Sequence, residues 1–448
     1  MEENKTNPGK AFFKLALYLL LFGLIAGVMS AIIYIVPDFM KEKLGLIKLR
    51  PLHVSSVMFW IIIGATACVY SGLTILSKIP HNKTLTKIHI VLWLIALSGI
   101  FFSYFSGHFG GREYWEFNPI WALPILLSWI MFLVNFIRMA KAIKKWPVYV
   151  WMWMTGIVFF LFIFVENYLW IFPYFREHFI TDMTIQWKVN GSLVGAVNQM
   201  LYGTAFFLMD RINQDEKSRV GFSKVAFAMY FLGLTNLMFN WGHHIYTLPT
   251  DNYIRYIAYI VSMTEWIFFV KIIYNWKKSV ADIQKNYHFF PYRFLMAADF
   301  WVFVNMGQAI LMSIPVLNIY THGTHVTVAH SMGTTIGINS MIIFAAAYMF
   351  LTPRSIKENK PGKLLTVVFW LIQIALFGLF ISLDINGVLK GIWQRDPNHG
   401  SFAEMMESLK PMFTVFVFSG IILLTGFFLF IGTLFTYFKI NKDLDEKY

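Results

Sequence analysis

Two adjacent histidines, His243 and His244, close a long apolar run in the stretch FNWGHHIYTLP. Adjacent helical positions point about 100° apart, so the two imidazoles cannot share one side of a helix. Both can still reach one ion lodged in a gap between helices. His53 opens a second apolar run in RPLHVSSVMFW, and His330 stands near the start of a third in YTHGTHVTVAHSMGTTIG. Met332 follows two residues later, about 200° round the helix from His330. Each of these two side chains could therefore ligate a different flat cofactor, with the helix as the wall between them. Imidazole and thioether are both axial ligands of haem iron. In a chain with 23 methionines most pack in the core, so Met332 needs support from its surroundings.

The elements that must position these residues are membrane helices. Of 448 residues, 57% are apolar and 14% charged, and the mean hydropathy is +0.58. Apolar runs of about 20 residues recur from end to end, each long enough to cross roughly 30 Å of hydrocarbon. They predict an all-α integral membrane protein of twelve transmembrane helices in a single domain over residues 1–448. The spans start near residues 11, 52, 88, 120, 148, 186, 223, 252, 292, 326, 364 and 411. The first run, AFFKLALYLLLFGLIAGVMSAIIYIV, is read as a retained span because it is too long for a signal peptide and lacks a small-residue cleavage site.

The N-terminus, the loops near 77–87, 141–147, 210–222, 275–291 and 352–363, and the C-terminus carry roughly twice the Lys and Arg of the alternate loops. Both termini are therefore expected in the cytoplasm. Loop lysines also explain the net charge of +13 without a nucleic-acid partner. In this topology His53, His243, His244 and His330 come from three helices at a similar depth toward the outer side. Histidines inside membranes usually face the bundle interior and mark function. His81, His89, His178, His288 and His399 fall in or beside loops and are expected to be solvated. The single cysteine, Cys68, excludes a disulfide framework, a Cys-type zinc site and covalent haem attachment.

Four stretches, RPLHVSSVMFW, GREYWE, WGHHIY and YTHGTHVTVAH with its following glycine, occur in that order along the chain. Through them, residues 11–440 resemble the catalytic subunit of the bacterial cytochrome c-dependent nitric oxide reductases, in the haem-copper oxidase superfamily. The resemblance implies a subunit I-like bundle. It makes His53 a ligand of a low-spin haem b and His330 the proximal ligand of a high-spin haem b. It makes His243 and His244 ligands of a non-haem iron. Glu265 in VSMTEWIFF matches a buried glutamate near that iron. Glu113 matches a carboxylate on a calcium ion beside the haem propionates, Glu116 an acid on an outer proton path, and Arg112 a partner for the propionates.

The chain also departs from the family pattern. Aligned on Gly195, the third histidine of the non-haem iron is replaced by Asn190, and two family glutamates by Val194 and Asn198. An asparagine carbonyl is a weak, neutral, hard ligand beside imidazole. The second axial ligand of the low-spin haem, histidine in the family, is Met332 here, and thioether ligation raises a haem's potential. Haem-copper oxygen reductases commonly place a histidine and, one turn later, a cross-linked tyrosine on this span. Asn190 and Val194 supply neither, which argues against four-electron oxygen reduction.

The resemblance implies reduction of two NO to N2O, with a separate membrane-anchored cytochrome c subunit as donor. The enzyme would sit in the bacterial inner membrane with its active site toward the periplasm. A second expectation on the same fold is disproportionation of NO to N2 and O2. A third is a haem-binding sensor or paralogue without turnover. A transporter also suits twelve spans, but it gives no account of metal-ligand residue types at one depth.

Overall fold

A computed structural model describes residues 7–213, 215–239, 242, 249, 251–353 and 362–445. The described residues form no strand. Eleven helices among them are long and apolar enough to cross a membrane, and a twelfth, shorter apolar helix takes the place of the seventh expected span. In chain order they are α1 (Gly9–Ile32), α2 (Gly45–Leu76), α3 (Lys83–Phe105), α4 (Ala122–Ala140), α5 (Val148–Glu166), α6 (Phe179–Asn213) and α7 (Lys224–Phe239). There follow α8 (Asn252–Ser279), α9 (Phe289–Met312), α10 (His325–Leu351), α11 (Lys363–Arg395) and α12 (Phe402–Asp445). His243 and His244, just past α7, lie outside the described residues.

Local sequence sets the helix starts. The Asn82 side chain accepts the Leu85 N–H at 3.1 Å and caps α3, and Thr324 caps α10 through the Val326 N–H. α2 starts at Gly45, well before the expected residue 52. Its early turns carry Lys48 and Arg50, whose long stems let a helix run beyond the hydrocarbon. His53 therefore sits two turns inside α2 rather than at its mouth.

Contacts divide the chain into two compact units. One holds the residues up to Phe13 and Ile62–Lys285; the other holds Lys14–Ile61 and the residues from Asn286 on. In the first, Gly156 of α5 lies so close to α6 that an added Cβ would stand 2.5 Å from the Ala196 carbonyl. The Trp153 indole donates to the Met200 carbonyl at 3.1 Å in the same seam. His89 corrects its sequence reading. It is fully buried, accepts the Trp93 indole N–H at Nε2 (3.2 Å) and meets the Tyr70 hydroxyl at Nδ1 (3.3 Å). Nearly two turns into α3 the helix is already deep enough for Phe12 and Phe132 to cover the ring. In the second unit His288, at the residue just before α9, is likewise buried.

Within the second unit α10 is interrupted. Gly333–Ser340 is a π-helical segment between α-helical turns, a feature frequent at functional sites. Two glycines let it press on α9. A Cβ on Gly337 would stand 2.5 Å from the Trp301 ring, and one on Gly333 would strike the Asn305 side chain. Asn305 donates to Thr334 Oγ1 at 2.7 Å across the same contact. Gly337→Ala is expected to lower stability by about 1–3 kcal/mol, because Trp301 must move. Gly420→Ala, whose Cβ meets only Val28 at 3.6 Å, should leave it within ~0.5 kcal/mol. Thermal unfolding of the two variants in detergent checks the difference; equal midpoints would remove the packing argument.

Candidate functional site

The imidazole of His53 is held from α1. Its Nδ1 lies 2.7 Å from the Gly23 carbonyl oxygen. A carbonyl can only accept, so Nδ1 carries the proton and Nε2 keeps its lone pair. That tautomer is the one a histidine needs to bind a metal through Nε2. Gly27, one turn further along α1, makes room for the ring: a Cβ there would stand 2.6 Å from Nδ1. Gly23 and Gly27 form a G-x-x-x-G pair that brings the two backbones together. The residues present thus fit an axial ligand role for His53.

A second bond sets the depth of His53. The Trp60 indole donates to Ser340 Oγ at 2.8 Å, and Ser340 in turn donates to the Thr335 carbonyl inside the π segment. α2 and α10 are both even-numbered spans and run in the same direction. Counted back from the Trp60–Ser340 bond, His53 lies seven residues earlier, about 10 Å along α2, and Met332 lies eight residues earlier, across the π segment. Both residues therefore lie on the same side of that bond in the second unit. His330 and Met332 both precede the π segment, on regular α-helix, so they project to opposite sides of α10. The His330 ring lies beside the Asn305 main chain.

In the first unit, α6 turns two of its faces to neighbouring helices. Gly156 and Trp153 of α5 cover the side of Ala196 and Met200, and Ser192 bonds the Leu237 carbonyl of α7 at 2.9 Å. Asn190, Val194 and Asn198 form a stripe one turn apart on a further face. Val194 is 44% exposed within an otherwise packed stretch of helix. Glu265 on α8 accepts the Asn236 amide of α7 at 2.7 Å. Tyr202, one turn past Asn198, lies near Glu265 and packs edge-on against Phe269. Sequence reasoning missed Asn236. Its signal was available in the sequence: it stands seven residues before His243.

The GREYWE loop is a tight turn in the first unit. Tyr114 adopts φ 71°, Trp115 N–H donates to the Arg112 carbonyl, and Gly110 and Gly111 both donate to the Glu116 carbonyl. An added Cβ on Gly111 would strike the Trp115 carbonyl, so that position requires glycine. Arg112 pairs with Asp182 at 2.7 Å and lies over the Trp170 ring. Glu113 is exposed and Glu116 half-buried. Nearby, Lys188 pairs with Glu166 at 2.6 Å. Among the described residues no group of three or more His, Cys, Asp or Glu side chains is placed to hold a metal ion. Asn190, Glu265 and the loop thus belong to one unit, His53, His330 and Met332 to the other, and His243 and His244 lie outside the described residues.

A multi-pass helical bundle that holds an Nε2-free imidazole, and carries a second imidazole and a thioether on opposite sides of one helix, has side chains of the types that hold haem. Residues 7–422 match the family model described as cytochrome c and quinol oxidase polypeptide I, and the chain belongs to this family, that of heme-copper oxidase subunit I. Its members are haem-binding membrane oxidoreductases. The chain is 24% identical over 420 residues to cytochrome c oxidase subunit 1 of Rhodobacter capsulatus, covering 87% of this chain and 76% of that one. It is 24% identical over 451 residues to a nitric oxide reductase subunit of Stutzerimonas stutzeri, covering 93% and 92%. A cbb3-type cytochrome c oxidase subunit, CcoN1, of the same organism is 23% identical over 403 residues, covering 85% and 83%. A cryo-EM structure of a heme-copper terminal oxidase dimer superposes with a TM-score of 0.73 at 16% identity, over 96% of this chain and 84% of that one, and so shares its fold.

Replacing Asn236 by leucine leaves Glu265 buried without its donor. Asn236→Leu is expected to cost about 1–3 kcal/mol of stability. It should also shift the infrared carboxyl or carboxylate band that Glu265→Gln removes. An unshifted band would show that the Asn236 amide does not act on Glu265.

Proposed function

We propose that this chain is the haem-bearing catalytic subunit of an enzyme acting on nitric oxide, reducing two NO with two protons and two electrons to N2O and water. The observation that carries this reading is the Asn190–Val194–Asn198 stripe on α6. It lacks the histidine–tyrosine pair that oxygen reductases commonly use, and it stands on a helix face that α5 and α7 leave uncovered. The near full-length match to a nitric oxide reductase subunit, over 92% of that relative, supports the same reading.

On this reading His53 and Met332 hold a low-spin haem b, His330 holds a high-spin haem b, and His243, His244 and Asn190 hold a non-haem iron. When bound, the high-spin haem and the iron would bring two NO molecules together, which is proximity catalysis. The chain's own residues do the rest. The Gly23 carbonyl keeps the His53 proton on Nδ1, so that Nε2 faces the cofactor. Asn236 orients the Glu265 carboxyl, the group placed to hold and release a proton. Glu116, in the GREYWE turn, takes protons in from the outer side. Arg112, already bound to Asp182, anchors that turn, and Glu113 beside it offers one carboxylate to a calcium ion whose other ligands come from elsewhere. Electrons arrive from a separate membrane-anchored cytochrome c subunit. Both termini lie in the cytoplasm of a bacterium, and the site faces the periplasmic side of the inner membrane.

A second reading, disproportionation of two NO to N2 and O2, has its own support. Val194 and Asn198 cannot carry protons, and that reaction needs neither net protons nor net electrons. Mass spectrometry of purified protein given nitrogen-15 NO under argon separates the two. Labelled N2O that forms only after a reduced cytochrome c or an artificial donor is added supports reduction. Labelled N2 and O2 in equal amounts without donor would replace it with disproportionation. No gas from protein shown to carry haem and iron would remove both.

The axial ligation has an independent check. Met332→His is expected to abolish the weak thioether-to-iron band at the red edge of the oxidised spectrum and to lower that haem's midpoint potential. A wild-type spectrum already of the bis-histidine kind would overturn the assignment of Met332.

A further inference from the structure

We propose that Asn198 and Gln199 of α6, Asn236 of α7 and Glu265 of α8 form a binding site for one hard monovalent cation, sodium or potassium, inside the first unit. The set is rich in acceptors and poor in donors. The Asn236 amide donates to Glu265 Oε2 at 2.7 Å. A carboxylate only accepts, so this bond fixes which end of the amide faces Glu265 and turns Asn236 Oδ1 away from it. That oxygen, Asn198 Oδ1 and Gln199 Oε1 are all buried, and none has a hydrogen-bond partner among the described residues. Gln199 as a whole is 6% exposed. No charged group among the described residues acts on Glu265.

Helix packing gathers these oxygens. The Tyr202 and Phe269 rings pack edge-on with centroids 5.2 Å apart, and one turn earlier on each helix stand Asn198 and Glu265. α6 and α8 are both even-numbered spans and run in the same direction, so both residues lie on the same side of that contact. Gly233 of α7 receives the Gln199 side chain, since an added Cβ there would stand 2.5 Å from Nε2, and Asn236 follows Gly233 by nearly one turn. Buried polar atoms without a protein partner require water or an ion. Donor atoms that are all oxygen select a hard cation, and carbonyl dipoles can replace its hydration shell. The charge decides its valence. One carboxylate and three neutral amides balance a single positive charge, whereas a divalent ion would leave an unpaired charge in hydrocarbon. Asn198 lies two turns, about 12 Å, along α6 from Asn190, which separates this set from that proposed iron ligand. The cation site rests on the Asn236–Glu265 bond and the orphaned amide oxygens, not on any reaction of NO.

The test uses the full chain with its haem in lipid nanodiscs, without NO or an electron donor. Radioactive sodium in choline buffer is expected to bind saturably at one ion per chain. Displacement by unlabelled potassium then shows which of the two ions the site prefers. Infrared difference spectra of sodium against choline should contain a carboxylate band that Glu265→Gln removes. Glu265→Gln should also abolish binding, and Gln199→Met should weaken it about tenfold. Asn198→Asp, close to isosteric, serves where Glu265→Gln yields no folded protein, as judged by its haem spectrum. Its second carboxylate should make calcium displace sodium. Failure of sodium and potassium to bind would leave these oxygens to water and overturn the proposal. Binding that Glu265→Gln leaves unchanged, an Asn198→Asp chain that still prefers sodium, or calcium preferred by the unaltered chain would overturn it too.

Discussion

Hydrocarbon offers no water to satisfy a polar group, so each polar side chain this chain carries into the membrane must be met by the protein itself. The organisation around His53 follows from that constraint. An imidazole inside a span needs a partner for its N–H, and the Gly23 carbonyl provides one only because α1 approaches α2 over glycine. The same requirement explains the π segment of α10. Widening the helix frees carbonyls to which the Thr334, Thr335 and Ser340 hydroxyls donate, and Ser340 Oγ in turn accepts the Trp60 indole N–H. Depth, tautomer and ring orientation are thus fixed by backbone approach and by neutral hydrogen bonds rather than by charge.

Much of the fold was legible because a membrane helix is written as a long apolar run. The helix starts were less legible. α2 reaches Gly45 because Lys48 and Arg50 can be carried on a helix beyond the lipid, which hydropathy alone scores as loop. His89 shows the opposite error. Polar neighbours in HNKTLTKIHI suggested a wet position, yet one face of the first turns of α3 is already roofed by aromatic rings. Residue type reports polarity, and burial depends on which way the helix faces.

The candidate site divides in the same way. Residues of ligand type stood out in the chain, because histidine is rare inside spans. The residues that hold them did not. Gly27, Trp60, Ser340 and Asn236 are ordinary helix residues, and their importance lies in a distance to another helix. No periodicity announces that a missing Cβ is what admits the His53 ring.

The departures on α6 acquire a common sense when set beside Glu265. A carboxylate can store and pass a proton; an amide or a valine cannot. With Asn190, Val194 and Asn198 on that stripe, the acid on the neighbouring helix is the half-buried Glu265, held by a neutral amide from α7. A reaction that consumes protons must then route them through Glu265, and the rate becomes sensitive to the single bond from Asn236. A reaction that consumes none would leave Glu265 as a fixed dipole beside the proposed metal site. The chemistry of this chain therefore turns less on which metals it binds than on whether that one carboxyl moves a proton.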